Sequence, residues 1–499
     1  MIKFARISLL VIFFVQAFFS SLDFSPAFDE VSHIPAGYSY LVKNDYRLNS
    51  QHPPLVKKIS AIPLLLLDIK VDWNDIDWIN PNEWSFGRKF LYSNDYNTIL
   101  IFSKFVPILI GVLLGVFLYK LGKLLFNERA ALFVLFLYAF TPSFIGHTVF
   151  VTMDVALACF VIMSFYFGIS YCKKRGKKDI ILFFLSQSLA IVTKFSAILF
   201  LPFFVALLFC SSLSKKEFAK NFLILLGVIF TVVSISYGSI FGINNYFEGL
   251  FRVNSDHLRL DTYFAGNFYK ERVYLYFIYC YLLKTPIVAI LIFLAAIFFI
   301  LKKYQFRNFE LNLLFISAFC FLVIHSLYAA PLGIRYILPT LAITLVLSGI
   351  VANHINSKHL LVLAIILLVE VLPTYPNFLG YFNFSIGGNN NGYLYLDDSN
   401  LDWGQNLNKL ANFQREVLKN QELTVVGSSP VPLQFYNIKV KDAIYLISDF
   451  RDTLNKGYFA ISPHFLIRAS NPNFQNSINW LDKDPIARIG SSFLIYKVD

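Results

Sequence analysis

A handful of ionisable residues in this chain stand where an apolar sequence gives them little reason to be. The first group is Phe28-Asp29-Glu30-Val31-Ser32-His33, just beyond an apolar run that ends near residue 22. Adjacent carboxylates at an apolar boundary cost desolvation energy unless they are solvated or employed. Neighbours on a helix point about 100° apart, so Asp29 and Glu30 cannot both face one site. Asp29 and His33, at i and i+4, can share a face. A carboxylate so placed is a candidate general base, although a solvated helix start explains acids at the positive end of the dipole equally well. Next, Gln51-His52-Pro53-Pro54-Leu55 sets an imidazole before two prolines. Pro53 pushes His52 out of the α region, giving a rigid corner suited to phosphate or metal, or simply a turn that starts a helix. Asp154, in Val151-Thr152-Met153-Asp154, opens another apolar run either as a cap or as a site acid. Arg335, in Gly333-Ile334-Arg335-Tyr336, is a cation suited to a lipid phosphate. Lys284, before Thr285-Pro286, is similar but could merely snorkel.

The elements that must hold these residues are membrane helices. Of 499 residues, 57% are hydrophobic and only 15% charged, with 55 Phe, and mean hydropathy is +0.59. A soluble domain keeps roughly 25% charged residues; this surplus of apolar side chains needs the bilayer as its solvent. Apolar runs near 7–22, 99–119, 130–146, 152–171, 180–193, 196–212, 221–241, 286–301, 311–329, 337–353 and 359–373 give about eleven spans. Ten or twelve remain open, because the pair around Lys194 could be one broken helix. Met1 to Arg6, followed by an apolar run to Phe19, lacks a small-x-small cleavage site and reads as a retained first span.

The net charge of +12 does not point to nucleic acid, because the basic residues cluster at the ends of apolar runs. One set of short loops carries 17 Lys and Arg, from Lys3 to Lys358, against only Lys194 and Arg335 on the other set. That bias puts the N-terminus in the cytoplasm and, with eleven spans, the C-terminus outside. The outer stretches are then 23–98, 242–285 and 374–499. The first, with Trp73, Trp78 and Trp84, reads as interfacial helices attached to a membrane domain of residues 1–373. The last reads as a small α/β domain, with strands at Thr424–Val426, Ala443–Ile447, Tyr458–Ile461 and Ser492–Val498 and a helix across 405–418. The five cysteines, Cys159, Cys172, Cys210, Cys280 and Cys320, lie in or beside apolar runs and form no disulfide framework.

Taken together, Asp29-Glu30, His33-Ile34-Pro35-Ala36-Gly37-Tyr38 and His52-Pro53-Pro54-Leu55 resemble the first loop of GT-C glycosyltransferases. The nearest branch is the phospholipid-carrier-dependent, protein O-mannosyltransferase-like group. Thr152-x-Asp154, Thr193-Lys194-Phe195-Ser196, Leu283-Lys284-Thr285-Pro286 and Gly333-Ile334-Arg335-Tyr336 extend the resemblance. So does the tail run Tyr381-Phe382-Asn383 with Asp398-Ser399-Asn400-Leu401-Asp402-Trp403-Gly404-Gln405, its most specific part. The resemblance implies a helical polytopic membrane enzyme of GT-C type in a bacterial inner or plasma membrane. It would transfer a sugar, mannose-like hexose first, from a polyprenyl-phosphate carrier to a hydroxyl of a protein, lipid or glycan, with inversion. It places the catalytic base at Asp29 and a second acid at Asp154, with Glu30 beside them, and the lipid phosphate near Arg335, with His33, His52 and Lys284 as further binding residues. Aminoarabinose-transferring relatives carry Lys where His52 stands, which argues against that sugar. The resemblance assigns no definite role to the tail residues Asp398, Asn400, Asp402, Trp403 and Gln405. Acid-rich relatives sometimes use a divalent ion, but no ligand cluster here has diagnostic spacing. No nucleotide-binding Gly-rich loop is evident. The rival reading is a transporter or flippase of lipid-linked sugars, which predicts mid-span charges and symmetric halves.

Overall fold

The computed structural model describes residues 2–256, 262–304, 307–427, 429, 431–445, 456–469 and 484–498. A first helix, α1 (Ile2–Ser21), leads into an extramembrane group made of α2 (Phe28–Lys43), α3 (Leu55–Ala61), α4 (Ile76–Ile79) and α5 (Glu83–Tyr92). The bundle continues with α6 (Tyr96–Leu125), α7 (Glu128–Ala139), α8 (Pro142–Thr148), α9 (Asp154–Lys174), α10 (Lys177–Ile191), α11 (Leu201–Ser211) and α12 (Lys215–Ser236). A second extramembrane stretch holds α13 (Gly242–Asp256), the hairpin β1 (Thr262–Phe264) and β2 (Asn267–Tyr269), and α14 (Tyr276–Lys284). The last bundle helices are α15 (Ile287–Tyr304), α16 (Phe309–Tyr328), α17 (Leu338–Ser348) and α18 (Ser357–Val371).

Among the described residues seven helices are long and apolar enough to cross a membrane, and two further pairs qualify as bent units. The chain is a multi-pass membrane protein. Every apolar run read from the sequence carries a helix, but their lengths differ for identifiable reasons. The pair α7 and α8 bends by 60° ahead of Pro142, and α14 and α15 bend by 112° at Thr285-Pro286. Proline removes an N–H and disfavours the helical region for the residue before it. The 286–301 run is therefore α15 alone, with α14 lying across its end.

At Lys194 the chain turns between two separate helices. Asp179, at the start of α10, accepts from Ser170 near the end of α9, while the Leu207 carbonyl of α11 also lies against the end of α9, at Cys172. Helices α10 and α11 thus run in opposite directions, and the turn at 192–194 sits beside the start of α9. The centre of the bundle is formed by α9, 83% buried over its apolar window, and by the Ile334–Asn353 segment that contains α17, 89% buried, whereas the α1 window is only 11% buried. Small residues permit this close contact: a Cβ on Gly168 would lie 2.7 Å from Phe183, and one on Gly111 2.6 Å from Thr148.

The loops grouped by the charge count share one end of the bundle. Lys173 pairs with Glu310 at 3.7 Å, Arg175 with Glu217 at 3.7 Å, and Arg129 donates to the Ile355 carbonyl at 2.9 Å. Asp29, Asp154, Lys194 and Arg335 gather at the opposite end.

Residues 372–400 run as short 3-10 turns pressed on that end. They lead to α19 (Leu407–Glu416), β3 (Leu423–Val426), β4 (Val440–Ile444), β5 (Gly457–Ile461), α20 (Pro463–Ala469), β6 (Ala487–Ile489) and β7 (Phe493–Val498). The five-stranded sheet has the order β4-β3-β5-β7-β6. Strand β3 is parallel to β4 and β5, while β7 is antiparallel to β5 and β6. The expected strands and helix are present, β6 is additional, and Ile447 lies outside the described residues. The sheet shares one apolar core with the first extramembrane group, joining Leu410, Val425 and Ile495 to Val31, Leu91 and Ile99. In a separate cluster Trp78 is buried against Trp73 and Phe86, with ring centroids 4.7 and 5.4 Å away, while Trp84 stays exposed.

Candidate active site

Helix α2 begins at Ala27, a cap residue with no polar side chain, so other groups must satisfy its free amides. Glu30, in the first turn, does this. Its carboxylate accepts from the Ala27 N–H at 3.0 Å and the Val151 N–H at 3.1 Å, and pairs with Lys104 at 3.2 Å. Glu30 is fully buried, and burial raises its pKa above the usual carboxylate range despite Lys104. The structure therefore gives it a structural post at the α2–α6–α9 junction. Replacing Lys104 by Met should strand this carboxylate and lower stability by about 3–5 kcal/mol. Thermal unfolding in detergent checks this, and the Glu30→Gln, Lys104→Met double variant should recover part of the loss.

Because Glu30 is turned inward, Asp29 is turned about 100° away from it. Its Oδ2 accepts from Arg335 Nη1 at 2.8 Å. The guanidinium lies 4.3 Å above the Trp403 ring, and Arg335 Nε is buried without a partner. On the other side, Asp154 pairs with Lys194 at 2.6 Å. The Tyr336 ring lies between the two cations, 4.3 Å from Lys194 Nζ and 5.4 Å from Arg335 Cζ. Two carboxylate–cation pairs thus flank one tyrosine. Among the described residues no three His, Cys, Asp or Glu side chains come together to hold a metal ion; each site carboxylate faces a cation.

His33, one turn after Asp29, has Nδ1 2.7 Å from the Val151 carbonyl, which assigns the proton to that nitrogen. Burial, only partly countered by Asp29, lowers its pKa to about 4. His52 meets His33 edge-on at 5.8 Å. Burial, His33 and Lys194 hold it well below the usual imidazole range, and its Nδ1 is buried without a partner. Burial thus favours the neutral form of both rings. Lys57, fully buried, fixes the His52 corner: its ammonium donates to the Tyr40 hydroxyl, to Asn49 and to the His52 carbonyl. Burial lowers the Lys57 pKa to about 7.

Lys284 is placed differently from the other cations. It donates to the Leu379 and Asn400 carbonyls at 2.7 and 2.6 Å, so it ties α14 to the tail. The tail residues acquire a visible purpose. The Trp403 carbonyl accepts from Phe28 N–H at 2.8 Å and the Gln405 carbonyl from Ser25 N–H at 2.9 Å, which clamps the start of α2. Gln405 Oε1 holds the Trp403 amide, and Asn400 Oδ1 accepts from Ile334 N–H, next to Arg335. Asp402 bonds to Gly404 N–H and Ser492, with burial raising its pKa to about 6. Asp398 has no cation at bonding distance among the described residues, and burial raises its pKa above the usual carboxylate range. The motif thus positions Asp29 and Arg335 against each other.

Sequence reasoning missed Lys57, Lys104 and Tyr336 as parts of this arrangement. Lys194 carried a usable signal, since it was the other cation of the base-poor loops.

Two cavities meet at His52. An apolar groove of about 670 Å³ runs from His52 and Lys194 past Ile198, Leu199, Ile324 and Tyr336. A vestibule of about 1130 Å³, lined by both polar and aromatic side chains, opens on the other side.

ArnT from Cupriavidus metallidurans, in a crystal structure with bound undecaprenyl phosphate, superposes with a TM-score of 0.53 at 14% identity, covering 98% of this chain and 97% of that one. The fold is that of the GT-C glycosyltransferases. A second structure of this GT-C kind, the apo oligosaccharyltransferase of Archaeoglobus fulgidus, gives a TM-score of 0.50 at 12% identity, over 92% of this chain and 69% of that one. Residues 102–237, from α6 to the end of α12, match the model of the dolichyl-phosphate-mannose-protein mannosyltransferase family. No curated protein matches the chain at the same standard.

Proposed function

We propose that the protein is an inverting glycosyltransferase that moves a sugar, a mannose-like hexose, from a polyprenyl-phosphate carrier to an acceptor hydroxyl on the extracytoplasmic side. One observation carries this reading: Asp29 is held by Arg335, whose Nε stays free and buried. A buried donor without an acceptor calls for an anion, and the apolar groove next to Tyr336 suits the isoprenoid attached to it. ArnT, whose structure contains undecaprenyl phosphate, supports that choice of carrier.

The chemistry is a single displacement. The acceptor oxygen attacks the anomeric carbon, the bond from that carbon to the phosphate oxygen breaks, and the electron pair leaves with the lipid phosphate. Asp29 takes the hydroxyl proton. Arg335 and Lys194 stabilise the charge gathering on the phosphate, while Asp154 holds Lys194 in place. In this reading residues 1–373 form the catalytic membrane domain and 374–499 a domain outside the cytoplasm, following the loop charge bias. A transporter finds less support, because the site charges gather at one end of the bundle and not mid-span.

The test uses the purified full chain in nanodiscs with a panel of polyprenyl-phosphate sugars, read by mass spectrometry. Release of free polyprenyl phosphate with transfer of the hexose is the expected outcome. Movement of intact lipid-linked sugar across the bilayer without cleavage would favour the transporter.

A further inference from the structure

The vestibule is unused by the chemistry above, and its walls have a specific character. They come from the end of α2, the turn over 44–54, the residues around the start of α5, and α13. Its charges balance, with Lys43, Arg47 and Arg252 against Asp45, Glu83 and Glu248. Several are already engaged. Arg47 pairs with Asp45 at 2.8 Å, Lys43 lies 4.9 Å from the Trp73 ring, and Glu83 accepts from Gln51. Beside these charges, with Glu248 and Arg252 on α13, the wall carries planar amides, including Asn44 and Asn80, and the aromatic rings of Tyr46, Trp84 and Tyr237. Trp84 is 37% exposed. The floor is His52, whose buried Nδ1 lacks a partner.

We infer that this vestibule is the acceptor site and that its acceptor is a neutral glycan. The inference rests on the glycosyltransferase reading and deepens it. Amide groups offer a donor and an acceptor together, which matches sugar hydroxyls, and aromatic faces stack on the apolar face of a pyranose ring. A strongly anionic acceptor would meet as many carboxylates as cations. A peptide held by strand addition would need a strand edge, and no described strand borders the cavity. The chains of a lipid acceptor would find the more apolar lining in the groove on the other side of His52. The volume, about 1130 Å³, exceeds the usual small-molecule range and suits more than one sugar unit. His52 lies against His33, one turn from Asp29, so the His52 wall of the vestibule stands one side chain away from the helix turn that carries the proposed base.

The experiment supplies the nanodisc protein with radiolabelled polyprenyl-phosphate hexose and three acceptor arms. These are an array of neutral oligosaccharides, Ser/Thr peptides, and a phosphorylated glycolipid. Label should appear on a subset of neutral oligosaccharides. Trp84→Ala should raise KM for them about five- to tenfold with kcat little changed, and Trp84→Phe should restore it. Label on peptide or phosphorylated glycolipid alone overturns the inference, as does carrier release into water with no glycan labelled. A KM unmoved by Trp84→Ala moves the acceptor out of the vestibule. Absence of carrier release in every arm overturns the glycosyltransferase reading instead.

Discussion

Asp29→Asn should lower sugar transfer by roughly two to four orders of magnitude, the usual range for removing a positioned base. Asparagine keeps the shape and a hydrogen bond to Arg335 while losing the basicity. Carrier binding should change little, and the protein should unfold at nearly the same temperature, because Asp29 is partly exposed and does not cap α2. Glu30→Gln should behave differently. Its carboxylate holds Ala27, Val151 and Lys104 together, so the loss should appear in stability before turnover. Initial rates with saturating polyprenyl-phosphate hexose, set beside melting curves for the same preparations, separate the two. Near-normal transfer by Asp29→Asn would move the base to Asp154.

Arg335→Ala should weaken apparent donor affinity by about 2–5 kcal/mol, or roughly thirtyfold to a few thousandfold. It removes the unpaired Nε and leaves the carrier phosphate with Lys194 alone. Arg335→Lys keeps the charge and should recover only part of the loss, since an ammonium cannot contact Asp29 and a phosphate oxygen as a planar fork. Titrating the protein with polyprenyl phosphate and following transfer KM measures both variants. Unchanged affinity in Arg335→Ala would shift the phosphate toward Lys194 and His52.

Much of this arrangement was legible before any coordinates. Apolar runs gave the helices, because the bilayer leaves the backbone few other choices. The 100° step between neighbours separated Asp29 from Glu30, and the two now point to Arg335 and Lys104. What stayed hidden depends on contacts between distant segments. The tail motif had no readable role, since its partners lie at the chain's other end: Ser25 donates to the Gly404 carbonyl across 379 positions. Lys104 is surrounded in sequence by apolar residues and signals nothing until Glu30 is brought beside it. Lys284 looked like a phosphate ligand, yet the 112° bend after it turns its ammonium onto two carbonyls of the tail. Pro286 marked the break, but no spacing rule gives the angle.

The central claim is that a polyprenyl-phosphate sugar lies in the apolar groove with its phosphate at Arg335. A photoreactive polyprenyl-phosphate hexose, crosslinked to the nanodisc protein and mapped by mass spectrometry, tests it most directly. Labels should concentrate on groove residues such as Ile198, Leu199 and Ile324, and unlabelled polyprenyl phosphate should compete them away. Labels spread without competition over lipid-facing positions such as Leu361 and Ile365 would contradict it.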